Sequence, residues 1–189
     1  KQLNEDSKFS AVSKSLDASG FIFYDGESYP VLMRGFEFES ANRIYKFNDK
    51  LVDGRMPSSS METIIGKDLV EDLGVKIDET ISFATPENKI VDIKVVGIYD
   101  LKVASLNKSW IITNINTVQE IFQKEGRLSS IETQVKEVFD ADIIANSLSQ
   151  DLNKYNLETL NWKSQNEELL SGLAGQSASS YMIQAFVLL

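Results

Sequence analysis

The chain has 189 residues, no cysteine, no histidine and a formal net charge of −9. The missing residue types exclude Ser-His-Asp and Cys-His nucleophile systems and the common zinc, iron and copper ligand sets. The negative charge argues against nucleic acid and anionic lipid as partners, because both are bound through clustered lysine and arginine.

The first segment of the chain predicts a helix. Phe9, Val12 and Leu16 fall on one helical face, and Ser19-Gly20 would end the helix. Its polar start, KQLNEDSKFS, does not have the pattern of a signal peptide.

A β-hairpin is predicted next. The apolar runs 21–24 and 29–38 lie on either side of Asp25 and Gly26, two residues that tolerate positive φ and favour a tight turn. Residues 39–54 have a mixed pattern, which indicates a connection containing a short helix.

The middle of the chain alternates short strands with two short helices. The predicted strands cover 62–65, 80–84, 90–98 and 110–113, and the predicted helices cover 67–73 and 115–124. Gly74 is predicted to cap the end of the first helix and Asn114 the start of the second.

The last third predicts a β-α-β unit followed by a long helix. Strands are expected at 131–136 and 155–162, around a helix that Asp140 caps. Ser164 and Glu167 have the spacing of a capping box, so a helix is expected to begin there and run to the end of the chain.

The C-terminal segment is unusually apolar. Residues 181–189 carry Gln184 as their single polar side chain other than the tyrosine hydroxyl, yet they are too few for a membrane span of about 20 residues. The pattern favours the start of a transmembrane helix, and the alternative is a terminal helix docked on its own domain. Small residues recur every four positions just before this segment, at Ser171, Gly175 and Ser179, and predict a close helix-packing face.

No catalytic, cofactor or metal site is predicted. The candidates are the acidic groups Asp140 with Asp142, Glu71 with Asp72 and Asp78 with Glu79, and the serines 58–60 with Lys67 as a base. Helix capping and solvent exposure explain the acidic groups better than chemistry does, since adjacent residues on a helix do not face each other. Phosphate-binding glycine motifs do not occur in the sequence.

Several stretches together resemble the extracytoplasmic domain of FtsX-like ABC-transporter permeases, the superfamily of lipoprotein-releasing and macrolide-exporter permeases. The stretches are VLMRGFEF, IIGKDLVEDLGVKIDETISF, KIVDIKVVGIYD and SWIITNINTVQEIF, and the end from Asn161-Trp162 through SQNEELLSGL resembles the helix that leads back into the membrane. Each motif is moderately specific, and their order and spacing carry the resemblance.

The resemblance implies a MacB-like periplasmic core domain with an α+β fold. A porter-like βαβ subdomain would be formed by both chain ends, residues 1–50 and 128–170, with an inserted strand-rich subdomain at 51–127. Residues 171–189 would begin the following transmembrane helix.

The same resemblance implies how the protein works. The domain would lie on the extracytoplasmic face of the cell membrane, between the first two of four membrane helices, and would relay ATP-driven motion without catalysing a reaction. The implied partners are a separate cytoplasmic ATP-binding subunit and a second permease subunit, identical or different. The cargo is not implied.

Two positions depart from the family pattern. Asp78-Glu79 stands where the family usually has Gly-Asp, so Asp78 is expected in the left-handed conformation, which aspartate tolerates. The turn at 85–89 is short, whereas permeases that hand lipoproteins to a chaperone carry a long hook loop there. This argues against chaperone loading.

Two other function classes remain open. One is a membrane-anchored ligand-binding or sensor domain of the cell envelope, with its ligand in a cleft between subdomains. The other is a carboxylate-dependent hydrolase, which the spacing of the acidic residues does not favour.

Overall fold

The computed structural model describes residue 3, residues 6–168 and residues 170–172. The chain groups into two units, Lys1–Gln134 and Val135–Leu189. The predicted subdomain boundaries near residues 50 and 128 stay a prediction.

The first element is a long β-strand, β1 (Phe9–Tyr24), so the helix predicted here is wrong. Buried and exposed side chains alternate along its first half, where Ala11, Ser13 and Ser15 are buried together with Phe9. Because three of these inward positions carry small or polar residues, the period of two was hidden, and the larger apolar residues suggested a helical period instead.

The predicted hairpin is confirmed. Strand β2 (Glu27–Phe36) pairs antiparallel with β1, from Tyr24 opposite Glu27 to Ser15 opposite Phe36. Asp25 and Gly26 form the turn with φ values of 48° and 84°, the combination that two-residue hairpins favour.

The rest of the first unit alternates helices and strands. In chain order these are α1 (Phe38–Tyr45), α2 (Phe47–Lys50), β3 (Leu51–Gly54), β4 (Glu62–Gly66), α3 (Lys67–Leu73), β5 (Thr80–Ala84), β6 (Ile90–Tyr99), α4 (Ala104–Ser109), β7 (Trp110–Asn114), α5 (Ile115–Phe122) and β8 (Ser130–Val135). The α+β class and the elements predicted for the middle of the chain are confirmed, while α4 was not predicted.

Six of the strands pair in a closed ring, which we call the barrel. Its order is β1-β2-β7-β4-β6-β5 and back to β1, with β3 added on β6 and β8 added on β1. The ring closes at Phe21–Phe23, which pair with β2 on one side and with β5 on the other. Closure leaves no free edge between these six strands.

Two apolar clusters fill the first unit. The larger draws side chains from all six barrel strands and from α3 and α5, and includes Ile22, Phe83 and Ile111. The smaller collects Phe36, Phe47, Tyr99 and their neighbours beside α1 and α2. Successive residues of β4 and of β7 pack into different clusters, because side chains alternate between the two faces of a strand.

Two helix caps and one turn of the first unit have the geometry that was predicted from the sequence. Gly74 ends α3 with φ 72° and donates its N–H to Val70 O, and the Asn114 side chain accepts from Asn116 N at the start of α5. Asp78 has φ 71°, as the departure from the family pattern predicted.

The second unit contains α6 (Ala141–Leu152) and α7 (Trp162–Gln165). The strand predicted at 155–162 is wrong: residues 153–155 form a 3₁₀ turn, and no strand follows among residues 156–161. Asp140 stands at the N-cap of α6, but its side chain makes no capping hydrogen bond. The capping box joins Asn161 and Ser164, three residues earlier than predicted, since Asn161 also accepts well from helix N–H groups.

Candidate functional site

The acidic candidates for catalysis are engaged in separate contacts. Asp72 pairs with Lys108 at 3.1 Å, Asp78 with Lys94 at 2.6 Å and Asp142 with Lys163 at 2.7 Å. Among the residues that the structure describes, no group of three or more acidic side chains could hold a metal ion.

The proposed serine and lysine pair is not assembled either. Ser58 contacts the Glu62 carboxylate through its backbone N–H, at 2.8 Å, and Lys67 bonds Asp100 at 3.1 Å. These contacts fasten loops and do not prepare a nucleophile for attack.

The structure instead brings together a buried polar network, which we call the Arg34 cluster. Arg34 is 5% exposed and donates from Nε to Asp17 Oδ1 at 3.1 Å, from one terminal nitrogen to Glu132 Oε1 at 2.5 Å, and from the other to Tyr45 Oη at 3.2 Å. Tyr45 in turn donates to Glu132 Oε2 at 2.7 Å. The cluster therefore joins β1, β2, α1 and β8.

Aromatic rings complete this cluster. The guanidinium carbon of Arg34 lies 4.3 Å from the ring centroid of Trp110 and 4.9 Å from that of Phe36, within the range of cation–π attraction. A buried arginine with its donors bonded and its plane covered by rings is held in one orientation.

The electrostatics of the cluster favour the charged arginine. Burial alone lowers the pKa of Arg34, but Tyr45 and the carboxylates of Asp17 and Glu132 raise it above its ordinary value. Burial also raises the pKa of Tyr45 to about 12, so its hydroxyl stays protonated and able to donate. The cluster therefore contains a charged arginine and a neutral tyrosine.

Two further polar contacts fix loops of the barrel. Glu62, 8% exposed, accepts from Arg55, and this bond lowers the pKa of its carboxyl below the usual range. Asp100, 4% exposed, accepts from Lys102 and Asn107, which lower the pKa of its carboxyl in the same way.

The sequence analysis missed the Arg34 cluster. The signal was Arg34 inside the otherwise uncharged run VLMRGF, since a buried charge needs partners. Those partners lie 17, 11 and 98 residues away along the chain, so they could not be named before the strands were paired.

An apolar row crosses the barrel surface. Pro30, Phe21, Ala84 and Ile90 are successive cross-strand partners on β2, β1, β5 and β6. Phe21 and Pro30 of this row also line an open surface cavity of about 400 Å³, and none of its lining residues is charged. Its surface suits an uncharged, apolar group.

The predicted helix-packing face lies mostly outside the described residues. Ser171 is in a helical stretch at 170–172 and is exposed, whereas Gly175 and Ser179 are not described. Within the described ranges, no helix is long and apolar enough to cross a membrane.

Comparison with known proteins shows similarity in structure alone. The sequence matches no protein-family model, and no curated protein matches it significantly. Three solved domains share its fold at 11–15% sequence identity.

One is the periplasmic region of MacB from Actinobacillus actinomycetemcomitans, with 14% identity, a TM-score of 0.62, and coverage of 89% of this chain and 79% of that one. Another is the extracellular domain of the noncanonic ABC-type transporter YknZ from Gram-positive bacteria, with 15% identity, a TM-score of 0.59, and coverage of 80% and 81%. The third is a domain of a permease protein from Porphyromonas gingivalis, with 11% identity and a TM-score of 0.53. The match covers 80% of this chain and 67% of that one. The chain has the fold of these three domains, as the sequence resemblance predicted.

Proposed function

We propose that the chain is the extracytoplasmic domain of an ABC-transporter permease and relays ATP-driven motion across the membrane without catalysing a reaction. The observation that carries the proposal is the shared fold, which extends over 80–89% of this chain in each comparison. Two of those domains belong to MacB and to an ABC-type transporter, and the third to a permease protein.

Sequence features support the same assignment. The apolar residues 181–189 fit the start of a membrane helix, and Ser171, Gly175 and Ser179 would let that helix pack closely on another. The partners would be a cytoplasmic ATP-binding subunit and a second permease subunit.

The short β5–β6 turn bears on the kind of cargo. It closes over Thr85–Lys89, where Thr85 N donates to Lys89 O at 2.9 Å. A turn of this length has no room for a chaperone-binding hook loop, so the proposed transporter does not load a periplasmic chaperone.

Thiol labelling tests the location. The chain has no cysteine, so Glu87→Cys in the exposed turn gives these 189 residues a single thiol, and any cysteine elsewhere in the full-length protein is first replaced by serine. In the full-length protein, a membrane-impermeant maleimide should label this thiol in intact cells, or in spheroplasts where an outer membrane is present. Labelling that requires lysis of the inner membrane would contradict the proposal, as would polar flanking coding sequence on both sides of the chain.

The apolar cavity favours a second candidate, a membrane-anchored ligand-binding domain. Its uncharged lining, which includes Phe21, Pro30 and Leu32, would take an uncharged apolar group. Binding of Nile red that is lost in Leu32→Asp, in a protein that lacks an ATPase partner, would favour this candidate over the transporter.

A further inference from the structure

Strand β8 is the covalent path between the two units, since the chain passes from Gln134 directly into Val135. None of its six residues is fully buried, and Ile131 is 51% exposed. Burial of apolar surface therefore contributes little to holding β8 in place. Polar contacts must supply most of the attachment.

Those polar contacts concentrate on β1. Ser15 Oγ and Ser130 Oγ lie 2.7 Å apart, Ser129 N donates to Ser15 O at 2.9 Å, and Asp17 N donates to Ser129 Oγ at 2.9 Å. Farther along, Ser10 Oγ donates to Gln134 O at 3.0 Å. Together with the backbone pairing of β8 on β1, these are neutral bonds, each of which is individually weak.

Glu132 differs from these neutral contacts because its side chain is charged. It is the single charged residue of β8, and its carboxylate accepts from Arg34 and more distantly from Ser15 on Oε1, and from Tyr45 on Oε2. Charge-assisted bonds of this kind are about twice as strong as neutral ones. They reach past β1 to β2 and α1, so they tie β8 to the body of the first unit.

Arg34 does not depend on β8 for its own position. Without Glu132 it still has the Asp17 carboxylate at 3.1 Å, the Tyr45 hydroxyl and the Trp110 ring. Loss of the Glu132 bonds would thus loosen β8, which keeps its pairing with β1 and the serine bonds, while the barrel stays intact.

We infer that Glu132 is a clamp that fastens β8 to the barrel, so that a displacement of the second unit moves the barrel with it. The functional role of the clamp rests on the proposed relay function, but the clamp itself is a property of the folded chain. The two parts are therefore tested separately.

Hydrogen exchange tests the clamp in the 189-residue chain. Glu132→Gln keeps the shape of the side chain but removes its charge, and should speed exchange of the β8 amides about ten-fold while barrel amides keep their rates. The matched control is Glu37→Gln, which removes an exposed ion pair with Lys14 and should change neither set. Unchanged β8 exchange in a folded Glu132→Gln chain would overturn the inference.

Should Glu132→Gln fail to fold, Tyr45→Phe provides a second variant. It removes the Tyr45 donor to Glu132 and keeps the ring, so a smaller acceleration that is largest in β8 is expected. Acceleration spread evenly over the barrel would mean that the cluster merely stabilises the whole unit, and would overturn the clamp.

A disulfide provides the rescue. Ser15→Cys with Ser130→Cys places two thiols where hydroxyl oxygens now lie 2.7 Å apart, in a chain with no other cysteine. Once oxidation is verified by mass spectrometry, the bond should restore slow β8 exchange to the Glu132→Gln chain, and reduction should abolish the rescue. Fast exchange in the oxidised triple variant would contradict attachment through β8.

The assembled transporter separates the clamp from the relay. If ATP moves the wild-type barrel and Glu132→Gln removes that movement, while Glu37→Gln retains it, both ideas are supported. If Glu132→Gln retains it, the clamp fails and the relay stands. If ATP does not move the wild-type barrel, the relay fails, and exchange in the isolated chain still decides the clamp.

Discussion

Gly66 is a position where one added methyl group should be costly. A Cβ on Gly66 would lie 2.2 Å from the carbonyl oxygen of Asn107 and 2.5 Å from its Cα. A normal C···O contact is about 3.3 Å, so one of the two backbones must move by about 1 Å. Since both atoms of Asn107 belong to the main chain, rotation of a side chain cannot relieve the clash.

The loss of stability depends on the hydrogen bonds that Asn107 makes. Its side chain accepts from Leu101 N at 3.0 Å and donates to Asp100 at 2.9 Å. Overpacking costs about 1–3 kcal/mol, and each lost hydrogen bond costs about 1 kcal/mol. Alanine also makes the unfolded chain less flexible, and because Gly66 has φ −71°, which alanine adopts without strain, this stabilises the folded state by about 0.4–1 kcal/mol. We expect Gly66→Ala to lower the free energy of unfolding by about 2–4 kcal/mol.

Urea unfolding followed by Trp110 fluorescence measures this loss. The Trp162→Phe background removes the tryptophan of the second unit, so the signal reports the first. A Gly66→Ala chain within about 0.5 kcal/mol of its background would refute the reasoning.

Three further predictions concern single side chains. Asp78→Gly should be more stable than Asp78→Ala by about 1 kcal/mol in thermal unfolding, since both lose the Lys94 ion pair but only glycine accepts φ 71° without strain; equal stabilities would contradict this. Tyr99→Phe should lose about 1 kcal/mol in urea unfolding, because the buried hydroxyl donates to Trp110 O at 2.9 Å; no loss would mean that this bond is not formed in solution. Because the folded state lowers the pKa of Asp100, its carboxylate contributes stability above the unfolded pKa of about 3.9 and loses it as the pH falls below that value. Asp100→Asn should therefore unfold more easily than wild type at pH 7, with the difference shrinking below about pH 4; a difference independent of pH would exclude the charge as its cause.

Local turn chemistry made part of this fold predictable. Asp25-Gly26, Gly74 and Asn114 each require a particular backbone geometry or supply a particular hydrogen bond, and each occupies the predicted place. Asp78 belongs to the same group, because an aspartate in place of the family's glycine still tolerates the left-handed region.

Long-range pairing was beyond sequence reasoning. The β1 strand has serines at the buried positions 13 and 15, and their burial is explained only by neighbours far away in sequence, such as Ser130 beside Ser15 and Ser40 beside Ser13. A pattern of large apolar residues cannot reveal a strand whose inward side chains are small.

The Arg34 cluster shows the same limit at the level of the site. The buried charge was visible in the sequence as one arginine among apolar residues, but Glu132 and Trp110 meet it only after β2 has paired with β7 and β8 with β1. Polar networks of this kind depend on the topology as a whole, and the sequence gives only their most buried member.

The relay is tested most directly by a distance in the assembled transporter. A nitroxide at Glu87→Cys on the barrel and a second on the partner permease subunit report, by pulsed electron paramagnetic resonance, how far the barrel moves. We expect the distance distribution to change between the nucleotide-free and ATP-bound states when hydrolysis is blocked. Identical distributions in both states, in a complex shown to bind ATP, would contradict the account.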